Sequence, residues 1–224
     1  MSEEIKTEVV ETEAIATPAE EPFAGSIVPK PVNGKLSVNL WTDPKKMESA
    51  IKTSQILAKS DMVPPAYQGK PANCFIAIDF AERMNVSPLM VMGYLNIIKG
   101  NAGWNGQGCI SLINNSGRFK GILRFDEFYD KETGDFSCTA YAVEKTTGEV
   151  IRGTTVDRQM AIDCGWMDRP GTYWKKMPQQ MAKYRAAAFF GRTYCPEALM
   201  GLYTDDELRD IHGYETGNKV VKLN

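Results

Sequence analysis

The sequence predicts an α+β domain: an antiparallel β-meander packed with helices before and after it. Apolar residues recur at helical spacing from Asp43 to about Ile98 and again beyond residue 157. Between them lie stretches of alternating apolar and polar residues, separated by the turn signals Asn115-Ser116-Gly117, Glu132-Thr133-Gly134 and Thr146-Thr147-Gly148. The order helices, strands, helices is that of an α+β domain; a parallel sheet would alternate the two. At 224 residues, 43% of them hydrophobic and 24% charged, the chain has apolar material for one sizeable core.

Residues 1–35 are rich in Glu, Thr, Ala and Pro and poor in large apolar residues before Ile27, so they bury too little surface to offset the entropy of ordering. They read as a disordered acidic N-terminal tail, followed by a single core over 36–212 and a short C-terminal tail over 213–224. The first core helix starts at Asp43-Pro44, a cap followed by a first-turn proline, and places Met47, Ile51, Ser54 and Leu57 or Ala58 on one face. A loop over 62–71 leads to a largely buried helix over 72–84, and Ser87-Pro88 caps another that runs to about Ile98. The glycine-rich stretch 100–108 reads as a loop. Four strands are expected, over 109–113, 118–125, 135–145 and 148–156. Helices return over 157–164, over 178–192 behind Pro178, and over 204–211, where Thr204 and Glu207 have the spacing of a capping box.

The net charge of −2 conceals an asymmetry. Residues 1–22 carry seven Glu and one Lys, and the remainder is net +4. Within it, residues 169–195 hold Arg169, Lys175, Lys176, Lys183, Arg185 and Arg192 and no acid. Such a run suits a polyanionic partner, because each phosphate neutralised by Lys or Arg releases counterions. A solvated helix face has the same composition, and charge alone does not choose between the two. The acidic tail either reaches this segment through its linker or serves solubility alone.

Other chemistries find no support. The single histidine, His212, has no evident nucleophile and carboxylate to serve and reads as a surface residue. No HExxH, Walker pattern or GxGxxG is present, and the acid pairs Asp205-Asp206 and Asp126-Glu127 fit a helix start and a strand end, so no metal, cofactor or catalytic activity is expected. Five cysteines, the closest two 26 residues apart, make no CxxC pair and no disulfide framework, which suits reduced thiols in a cytoplasm. The most apolar run, 88–98, is too short to cross a membrane, and the N-terminus lacks the basic-then-apolar pattern of a signal peptide.

Residues 165–208 carry a Gly-Trp step, a second tryptophan at 174, Pro178, Met181, Arg185-Ala186, Arg192, and a Gly-Leu-Tyr followed by acidic residues and a leucine. This segment resembles the C-terminal part of the annealing core in the phage RecT and Red-beta recombinases. Residues 54–100, with their Asn-Cys-Phe-Ile-Ala and Pro-Leu steps, resemble the helical entry of the same family, and the strand region between is more divergent. The resemblance implies a single-strand annealing protein that binds single-stranded DNA, pairs it into duplex DNA without ATP, and works as a homo-oligomeric ring or helical filament. In that family, basic residues on the helix after the tryptophan motif hold DNA phosphates. Position by position, these fall on Arg185 and Arg192, with Lys183 at a further basic position and Gln179 where Red-beta has a third basic residue.

Helix geometry bears on these positions. Arg185 and Arg192 are seven apart and lie within about 20° of one another, whereas Lys183 stands about 200° from Arg185 and must face elsewhere. Lys175 and Lys176 belong to the same basic segment. Arg118, Lys120, Arg124, Lys145 and Arg152, on the strands, either line the opposite wall of a groove or aim at solvent. Trp104, Tyr129, Trp166, Tyr173 and Trp174 either stack on bases or belong to the core. A protein that coats single strands without pairing them, or a phage structural or assembly protein, would share the basic segment. With sixteen residues after Leu208, the sequence supports neither an exonuclease nor a host single-strand binding protein as a partner.

Overall fold

A computed structural model describes residues 40–212 and, beyond them, the backbone of a small hairpin, β6 (Glu215–Thr216) paired with β7 (Lys219–Val220). The tail expected over 1–35 lies outside the described residues, as do the side chains from 213 onward. Helix α1 (Pro44–Leu57) begins as its sequence indicates, with Asp43 Oδ1 accepting from the Lys45 N–H at 2.9 Å and proline in the first turn. Its inward face keeps Ser54 and Ala58 of the expected one and exchanges Ile51 for Ala50. Ala50 and Ser54 are buried, with Ala58 just past the helix, while Ile51 is 44% exposed. These small residues recur every four positions and let α1 lie close on α2 (Pro71–Met84), which decides the rotation.

Helix α3 (Pro88–Tyr94) stops short of the expected end. Residues 95–98 leave it as β1 (Leu95–Ile98), which pairs antiparallel with β2 (Asn101–Trp104). Their two-residue turn, Lys99-Gly100, has φ of 48° and 83°, the backbone that matches the twist of a tight hairpin. The expected loop over 100–108 therefore holds β2 and the start of α4 (Gly106–Asn115). That helix also replaces the first expected strand: Cys109, Leu112 and Ile113 are buried at i, i+3 and i+4, and Asn105 Oδ1 accepts from the Gly108 N–H at 2.8 Å. The stretch Cys-Ile-Ser-Leu-Ile fits either period, and the asparagine cap tips it to helix.

The remaining strands form the meander, in the order β3 (Phe119–Tyr129), β4 (Phe136–Glu144), β5 (Val150–Asp157). Phe136, Cys138, Ala140 and Ala142 of β4 turn inward. Helix α5 (Arg158–Asp163) follows β5 directly, capped by Asp157, and a single 3-10 turn over Trp166–Asp168 leads on. Helix α6 (Pro178–Tyr194) then crosses β4 and β5 on one side and packs on α4 on the other, its Ala182, Ala186, Ala187, Ala188 and Gly191 allowing close approach. In α7 (Asp205–His212) the capping box is present: the Thr204 N–H donates to Glu207 Oε2 at 2.9 Å and the Glu207 N–H to Thr204 Oγ1 at 3.4 Å. Among the described residues no helix is long and apolar enough to cross a membrane, and no cluster of His, Cys, Asp and Glu could hold a metal ion. The five cysteines are free thiols, Cys164 alone being exposed.

Candidate nucleic-acid interface

Arg185 and Arg192 share one side of α6, as their spacing requires, and that side faces α7. Arg185 is 3% exposed. Its Nη2 lies 2.6 Å from Asp206 Oδ2 and 2.6 Å from Asp210 Oδ2, and its guanidinium stands over the Trp166 ring at 4.1 Å. Arg169 meets the same two carboxylates, at 3.2 Å from Asp206 Oδ1 and in an ion pair with Asp210, and stands 5.8 Å from the Trp166 ring. Arg192 lies 2.6 Å from Glu207 Oε1 and 4.4 Å from the Tyr203 ring, yet its side chain is 42% exposed. The open arginine row expected from the sequence is thus closed at Arg185 by the two aspartates, while Arg192 keeps an outer edge in solvent.

Helix α7 is seated on the β1–β2 hairpin. Leu208 is its buried apolar residue and rests on Gly103, where a Cβ would come within 2.6 Å of Leu208 Cδ1. Asn96 Nδ2 donates to Asp205 Oδ2 at 2.8 Å, the Trp104 N–H donates to the Tyr203 carbonyl at 3.0 Å, and Asn101 pairs with His212 Nε2 at 3.0 Å. Burial pushes the Asp205 carboxyl above its ordinary range, against the pull of Arg209 and the Asn96 hydrogen bond.

Lys183 faces the sheet side of α6. Its Nζ is 3.0 Å from Glu127 Oε2, with the two side chains 30% and 37% exposed. Gln179, one turn earlier, is exposed, and so are Lys175 and Lys176 before the helix. Lys175 pairs with Asp168 at 2.8 Å on the surface, and the Lys176 ammonium stands 6.0 Å from the ring of the exposed Tyr173. Lys175, Lys176 and Tyr173 form a basic and aromatic strip just before α6, where the helix dipole adds partial positive charge.

The strand-borne cations do not form a wall facing α6. Lys120 and Arg124 stand across from Val143 and Tyr141, and Arg152 stands across from Tyr141 on its other side. Because Ala140 and Ala142 turn into the core, alternation sends these three cations to the opposite face of the sheet. There Arg152 pairs with Asp126 and lies 5.0 Å from the Tyr141 ring. Arg118 pairs with Glu197 at 2.8 Å. Among the aromatics, Trp104, Trp166 and Trp174 belong to the core, Trp166 stacking on Trp174 at 5.0 Å, whereas Tyr129 and Tyr173 open to solvent.

Sequence reasoning finds α7 but misses that its carboxylates meet the arginines of α6. The signal is the spacing of Asp206 and Asp210, four apart and so on one side of a helix, with Glu207 adjoining. No curated protein and no solved structure matches the chain. The family model described as the RecT family matches residues 55–221, which takes in both resembling segments, save residue 54, and the strand region between them. That match covers well over half of the chain, and the chain therefore belongs to the RecT family of single-strand annealing, DNA-binding recombination proteins.

Proposed function

We propose that the protein binds single-stranded DNA and pairs it with a complementary strand without nucleotide hydrolysis. The match to the RecT family over 55–221 carries this reading, since it includes the acid-free segment and the elements that present it. Lys175, Lys176, Gln179 and Lys183, with the open edge of Arg192, supply the phosphate contacts. Contacts of this kind hold a strand without reading its sequence, as pairing of arbitrary sequences demands. Tyr173 offers a stacking surface beside them. Lys120 and Arg152, with Arg124, lie on the far face of the sheet and serve a separate stretch of strand. Pairing calls for binding and alignment and for no catalytic group, so the protein acts as a pairing factor and not as an enzyme. The working form is a homo-oligomer, for which the exposed Ile56, Met62 and Leu89 of the helical layer offer apolar surface.

The test mixes two complementary oligonucleotides, one with a fluorophore and one with a quencher, in the absence of ATP. Quenching faster than the spontaneous rate, with a multimer in sedimentation, is the expected result. Salt-sensitive binding without faster pairing would identify a coating protein, and absence of binding would identify an assembly protein.

A further inference from the structure

We propose that α7 is a phosphate-mimicking latch: its carboxylates occupy the arginine row of α6, and the backbone of a bound single strand exchanges with them. The inference rests on the reading of the protein as a binder of single-stranded DNA. All three arginines of the acid-free segment, Arg169, Arg185 and Arg192, are met by α7 through Asp206, Asp210 and Glu207. Its lysines are not held in this way, Lys175 pairing with Asp168 and Lys183 with Glu127. Asp206 and Asp210 stand one turn apart, with about 5–6 Å between their Cβ atoms, so α7 presents a row of anionic oxygens to the row of cations.

The pairing is incomplete in a way that favours exchange. A single nitrogen of Arg185, Nη2, serves both aspartates, while its Nε is buried with no hydrogen-bond partner among the described residues. A phosphate can accept from Nε and Nη2 of one guanidinium together, the bidentate geometry that the carboxylates of α7 leave unused. The latch is also lightly seated. Leu208 is its buried apolar side chain and Ile211 is 56% exposed, so charge and polar contacts hold much of the helix in place. A competing polyanion can replace contacts of that kind, and salt weakens the more exposed of them, Arg192 with Glu207. The row itself is placed by other elements: Arg185 stacks on Trp166 at 4.1 Å and lies 5.7 Å from Phe189, and Trp166 stacks on Trp174. Displacing α7 therefore uncovers arginines that are already positioned.

Hydrogen exchange of the full chain, with and without saturating oligothymidylate, tests the latch directly. The expected result is amides over 205–212 exchanging at least tenfold faster with the oligonucleotide bound, while β4 and α6 keep their protection. The companion variant is Asp206→Asn with Asp210→Asn, which keeps side-chain shape and removes the competing charge. It should bind oligothymidylate about tenfold tighter at low salt, a gain that screening shrinks at high salt. Unchanged or slower exchange in α7, or a double variant that binds no tighter than the parent, would overturn the latch and leave α7 a structural clamp. If the variant does not fold, exchange in the unsubstituted protein decides. Binding with α7 still protected overturns the latch alone, whereas no binding by the unsubstituted protein overturns the single-strand reading with it.

Discussion

Two sides of one helix put like charge to different use. On the α7 side of α6, Arg185 is held between Trp166 and two aspartates and is nearly lost to solvent; on the sheet side, Lys183 shares a partly exposed pair with Glu127. The difference follows the chemistry of the two side chains. A guanidinium is planar and weakly hydrated, so it can be stacked and buried when carboxylates meet its fork, whereas an ammonium keeps its water. A basic segment is therefore not one surface: Arg169 and Arg185 are tied into tertiary structure, while the lysines and the outer edge of Arg192 remain open to a ligand.

The largest effect that separates the two sides is on stability. Arg185→Met leaves Asp206 and Asp210 with a partner fewer and should cost about 3 kcal/mol or more, whereas Lys183→Met should stay within about 1 kcal/mol. Thermal or urea unfolding measures both, and equal losses would erase the distinction. Next in size is binding. Lys175→Ala, Lys176→Ala and Lys183→Ala should each leave unfolding unchanged and flatten the salt dependence of single-strand affinity by about 0.7 per lost phosphate contact. A slope identical to the parent's in all three would move the strand away from these lysines.

Two smaller effects sharpen the arginine side alone. Thr204→Ala removes half of the capping box and should cost about 1 kcal/mol, read as faster amide exchange confined to α7. Exchange rising equally in α6 would show that the two helices open as one unit. The smallest change is expected from Asp205→Asn. Burial raises the folded-state pKa of Asp205 above its unfolded value, so the ionised carboxylate subtracts stability at neutral pH, and that loss fades as pH falls through the folded pKa. The variant should melt slightly above the parent at pH 7, with the gap narrowing on acidification. A gap that widens would reverse the sign assigned to burial.

Elements bounded by local chemistry are legible in the sequence: Asp43-Pro44 opens α1, Pro178 opens α6, and Thr204 with Glu207 opens α7. Residues 95–113 are not, because Leu-Asn-Ile-Ile and Cys-Ile-Ser-Leu-Ile satisfy both helical and strand periods, and the choice falls to the Lys99-Gly100 turn and the Asn105 cap. In the candidate site, the angular relation of Arg185, Arg192 and Lys183 follows from their spacing, since 100° per residue is a property of the helical backbone. That Arg185 is closed off while Lys183 stays partly open is a matter of packing between elements distant in the chain. Burying a guanidinium requires carboxylates at hydrogen-bond distance, and those of α7 reach Arg185 through a turn of chain that ends docked on the β1–β2 hairpin, a contact no local pattern encodes.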